Sequence, residues 1–88
     1  MSGGHFDYNQ YAINDIADGI DKLIKKNHKK DEYGFSHDFS DTTIQEFKNA
    51  QNLLRKAAVY AQRIDWLVSG DDSEDTFHER LKDELEEV

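Results

Sequence analysis

Eighty-eight residues with no cysteine, no proline and a formal net charge of −8 point to one domain over 1–88 that can hold neither a disulfide nor a thiolate metal site. A chain of this length removes only about 60% of its unfolded surface from water, so helix packing and self-association are the supports left to it. No apolar run approaches the ~18 residues of a membrane span, and the reading that follows is a cytoplasmic protein with no membrane partner.

The charge is unevenly placed. Residues 1–40 carry five basic and seven acidic side chains, residues 41–70 four and three, and residues 71–88 two and nine. An end this acidic repels a phosphate backbone, which argues against nucleic acid as a partner.

The first element reads as a helix over about 8–27. Asp7 is placed to cap it, and Tyr8, Tyr11, Ala12, Ile16, Ile20, Leu23 and Ile24 recur at steps of three and four on one side. Gly19 interrupts the pattern at a cost near ~1 kcal/mol relative to Ala, which suggests a close helix contact. Lys25, Lys26, Lys29 and Lys30 supply positive charge at the negative end of the helix dipole.

Residues 28–41 form a long connection around Gly34. It carries Tyr33, Phe35 and Phe39, so at least one aromatic ring is expected to pack on the helices.

The strongest signal is a long central helix over about 43–69. Thr42 with Gln45, or Thr43 with Glu46, matches a capping box. Phe47, Ala50, Leu54, Ala57, Ala61, Ile64 and Val68 then follow alternating steps of three and four, with Leu53, Tyr60 and Leu67 seven apart on the flank. Gly70 supplies the left-handed residue that ends such a helix. A third helix over about 73–86 follows the acidic and hydroxyl residues Asp71, Asp72 and Ser73. Its stripe is Phe77, Leu81 and Leu85, and its last turn, with Glu84, Glu86 and Glu87 against the dipole, is expected to fray. The fold class is therefore all-α: three helices, the long central one flanked by two shorter ones.

Two blocks, SGGHFDYNQYAINDIADGI and AAVYAQRIDWLVSGDDSEDTFHERLKDEL, resemble a group of small uncharacterised proteins of bacteria and their phages that share a similar opening and a similar AQRIDWLxSGDD passage. The group has no known activity, so the resemblance assigns no residue a role. It implies a setting: bacterial or phage, in the host cytosol if phage-encoded.

The residues themselves offer little chemistry. Asp71, Ser73 and Asp75 hold the opening spacing of a calcium loop, but Thr76 stands where its glycine belongs and Lys82 where its bidentate Glu belongs. His5, His28, His37 and His78 form no zinc motif, and no activated nucleophile or phosphate loop is present. No metal or cofactor is expected.

The remaining candidates are binding residues. Lys25, Lys26, Lys29 and Lys30 could take a small anionic ligand, with Tyr33 stacking on a base. Tyr60, Arg63 and Trp66 are of the types that anchor protein interfaces. Asp71 and Asp72 open an acidic helix that could face a host protein. The function expected is a non-enzymatic binding protein, oligomeric with itself, that sequesters or blocks a host defence factor. One alternative is a nucleotide-signal sponge using the Lys22–Lys30 cluster. Another is a magnesium-dependent all-α nucleotide pyrophosphohydrolase, for which Asp15, Asp18, Asp21, Glu84 and Glu87 are the available carboxylates.

Overall fold

The computed structural model describes residues 6–88, and it contains the three expected helices with no strand among the described residues. They are α1 (Gln10–Lys26), α2 (Asp41–Val68) and α3 (Glu74–Glu87).

The helix starts differ from those read in the sequence. Asp7 does not cap α1. Asp7 and Tyr8 both take positive φ angles, 53° and 61°, in a turn closed by Asn9 N–H donating to the Phe6 carbonyl, and the helix begins only at Gln10. Nor do Thr42 or Thr43 open α2. Ser40 is the N-cap, its hydroxyl accepting from Thr43 N–H at 3.3 Å, so the helix starts at Asp41. At α3, Ser73 and Thr76 form a reciprocal capping box. This helix runs to Glu87 in spite of its acidic last turn.

The connection between α1 and α2 is a folded loop. Asn27 clamps Phe39 with both ends of its amide, donating to the Phe39 carbonyl at 3.1 Å and accepting from its N–H at 3.0 Å. Asp31 accepts from the backbone N–H groups of Tyr33 and Phe35, and Gly34 completes that turn at φ 80°. The Phe39 ring meets Phe47 edge-on at 5.3 Å, so one of the three aromatics does pack on a helix. Tyr33 and Phe35 stay exposed.

Both outer helices run antiparallel to α2. Gln10 bonds Gln62 and Asp65, while Arg55 bonds Asn14, and Arg63 pairs with Glu84 near the far end of α3. α1 and α3 pack on α2 and not on each other. The result measures 52 × 24 × 13 Å with a radius of gyration of 16.8 Å. A compact chain of this length has a radius near ~12 Å, and 13 Å is about the diameter of one helix. The molecule is a slab one helix deep.

A single layer shields little. The only buried apolar side chains among the described residues are Ala17 and Ala58, on the line where α1 meets α2. The predicted seam of α2 is apolar throughout but is not all inside: Ala57, Ile64 and Val68 are solvent-facing, since α1 covers the adjoining line through Leu54, Ala58 and Asp65. Gly19 makes no close helix contact, with nothing within 4 Å of where its Cβ would stand.

The two glycines at 19 and 70 give opposite expectations. Gly19→Ala removes backbone freedom from a helix interior with room for the methyl, and should raise stability by about 1 kcal/mol in urea unfolding. Gly70→Ala forces a side chain onto a backbone at φ 86° and should lower it by about 1–2 kcal/mol.

Candidate functional site

The slab has two unlike faces. On α1, Ile13, Ile16, Ile20 and Leu23 follow steps of three, four and three and so share one side. On α2, Leu53, Ala57, Ile64 and Val68, at steps of four, seven and four, also share one side, with Tyr60 and Ala61 beside them. The two rows meet across an open groove of about 930 Å³ lined by Phe6, Ile13, Ala57, Tyr60, Ala61 and Ile64 and, at the start of α1, by Asp7, Asn9 and Gln10. Ile16 is 56% exposed and Leu53 66%. Between Ala50 and Val68 this side of α2 carries no charged residue, and neither does this side of α1. A large exposed apolar patch, with Asp7 as the charged residue lining its groove, is unusual on a soluble surface and marks a contact site.

The opposite face carries ion pairs, beside a pocket lined by Tyr11, Val59 and Trp66 as well as by Asn14, Arg55 and Gln62. Arg55 reaches from α2 to the Asp18 carboxylate at 2.6 Å and to the side-chain oxygen of Asn14 at 3.2 Å. Asp21 accepts from Lys25, which holds its carboxyl below the usual carboxylate range and raises the Lys25 ammonium. Between the faces, Gln10 is buried and donates to Asp65, itself fully buried, at 3.1 Å. Gln10 Oε1 and Gln62 Nε2 are buried without a hydrogen-bond partner.

Several residues expected to meet a partner are structural instead. Arg63 is buried, with its guanidinium 4.1 Å from the centre of the Trp66 ring. Its Nη1 lies 3.3 Å from Asp72, and its Nε 3.3 Å from Glu84 but off the line of a hydrogen bond. Asp72 is 2% exposed and also takes Arg80 at 3.0 Å. This Arg63–Asp72 clasp ties the start of α3 to α2, so neither residue is open to a partner. Trp66 is half-buried beneath Arg63, and its carbonyl accepts from the Asp71 and Asp72 N–H groups. Asp71 and Tyr60 remain exposed, and Tyr60 lies on the apolar groove.

The lysine cluster is scattered over the end of α1 and the loop. Lys25 is engaged by Asp21, Lys26, Lys29 and Lys30 are exposed, and Tyr33 at 86% exposure forms no wall of a pocket. His28 pairs with Asp38 at 2.9 Å, which lowers the Asp38 carboxyl. His5 lies outside the described residues. The carboxylates of the magnesium reading are spread: Asp18 goes to Arg55, Asp21 to Lys25 and Glu84 to Arg63. Among the described residues, no three His, Asp or Glu side chains gather to hold a metal. No helix is long and apolar enough to cross a membrane.

The sequence reading missed the continuous face made by both helices. Its signal was present: α2 carries two apolar lines, through Leu54 and Ala58 and through Leu53, Ala57 and Ile64, where one neighbouring helix can cover only one. No protein-family model, curated protein or solved structure matches the chain.

The clasp yields a test. Asp72→Ala leaves the buried Arg63 charge short of its partner and should cost about 3 kcal/mol or more. Arg80→Ala, at a side chain 58% exposed, should cost under about 1 kcal/mol. Urea unfolding reads both, and hydrogen exchange should show the Asp72 variant losing protection first in α3.

Proposed function

We propose that the protein works by binding rather than by catalysis, sequestering or blocking a protein partner, and that the apolar face shared by α1 and α2 is a protein contact surface. The observation that supports this reading is the face itself: Ile16, Leu23, Leu53 and Val68 stand exposed on one side of a chain whose net charge is −8. Keeping such a surface in water is unfavourable by roughly 25 cal/mol per Å² of apolar area, and covering it drives association.

The resemblance to bacterial and phage proteins makes a host factor the target to consider. The lysine cluster gains no support as a ligand site, because its charges are spread along an exposed segment and one of them is already paired.

The experiment is site-specific photo-crosslinking in the producing bacterial cell. A benzophenone side chain in place of Leu53, on the apolar face, should give a discrete adduct. The same group in place of Lys48, on the polar side of the same helix, should not. Equal labelling at both positions, or none at 53, would overturn the proposal.

A further inference from the structure

We infer that the occupant of the apolar face is a second copy of this chain, the two slabs closing face to face about a two-fold axis. This rests on the reading that the face is a contact surface, and it names what sits there.

Three observations carry it. The first is shape. A layer 13 Å deep has no second layer to pack on, whereas helical domains ordinarily bury an apolar side against another layer. A second copy supplies one, and the sandwich acquires the core that Ala17 and Ala58 alone do not make.

The second is area. The chain exposes 6385 Å², about 1,100 Å² more than the ~5,300 Å² of a compact monomer of its mass. A stable interface takes about 800 Å² from each partner, so the excess is of the size one copy must cover.

The third is charge. Two copies, each at −8, repel through most of their surfaces. The region from Ala50 to Val68 on α2, with the row from Ile13 to Leu23 on α1, is where they can approach with the fewest like charges opposed, Asp7 being the charged residue that lines the groove. The patch also suits self-pairing. Ala57 and Ala61 leave hollows beside the projecting Leu53 and Ile64, and a two-fold contact places the projections of each copy against the hollows of the other.

Sedimentation equilibrium on the purified chain tests the inference. The wild type should sediment at twice its 10.2 kDa at ~100 µM. Ile16→Glu and Leu53→Glu change exposed side chains, so they should keep the helical circular dichroism while weakening association at least about tenfold. Lys48→Glu, on the polar side, should leave the dimer unchanged.

A wild type that stays at 10.2 kDa, or a dimer indifferent to both apolar-face changes, overturns the inference. The two readings separate through the benzophenone at position 53. A covalent dimer formed by the purified protein supports the second copy. An adduct of another mass in cells, with a purified monomer, removes the second copy and leaves the face as a contact surface. No adduct in either setting removes both.

Discussion

The line along which Ala17 of α1 meets Ala58 of α2 governs the rest of the molecule. Two methyl groups there allow the helix backbones to come together, and α3 packs on the other flank of α2 without touching α1. Three helices joined only through the middle one lie side by side. A chain arranged this way gains most of its burial along two seams and leaves both broad faces to solvent. The faces then determine what the protein can do, and they differ completely. One is held by ion pairs that reach across from α2 to α1, such as Arg55 with Asp18. The other is mostly aliphatic and aromatic between its two helices, with Asp7, Asn9 and Gln10 lining the groove at the start of α1.

The Arg63 clasp follows from the same constraint. α3 offers few apolar residues, with Phe77, Leu81 and Leu85 only half-buried, so its position is set by Arg63, Asp72, Glu84 and Arg80. Paired buried charges add little net stability compared with well-packed apolar groups, but they are costly to break singly. Their effect here is geometric: Gly70 turns the chain, Asp72 meets Arg63, and α3 runs back antiparallel along α2.

Element type and order were legible in the sequence because local chemistry decides them. Periodic apolar residues, the absence of proline and a glycine at 70 leave few alternatives to three helices. Starts were less legible, because several adjacent residues could serve. Ser40, Thr42 and Thr43 can all cap a helix, and only the clamp of Asn27 on Phe39 delivers the chain to Ser40 in the extended conformation a cap requires. The candidate residues fared worst. Arg63 and Asp72 look like surface anchors when read singly, and their mutual pairing depends on the turn between α2 and α3. Conversely, Ile16 and Leu53 read as core when each helix is taken alone, and they are among the more exposed apolar residues once the helices are assembled.

An exposed apolar residue at one position requires no explanation, since much of any protein surface is apolar. The situation on α1 and α2 differs in being continuous, poor in charge and shared by two elements. Selection for solubility alone would place Lys or Glu at some of these outward positions, as it has on the polar face at Lys48 and on α3 at Glu79 and Lys82. The contrast between faces of the same helix rules out composition as the cause, because α2 has charged residues available and uses them elsewhere. A surface patterned in this way is complete only when covered. The chain's own third helix reaches only its Tyr60 edge, where Leu81 and Leu85 line a pocket with Tyr60, as the clasp holds α3 along the other flank of α2.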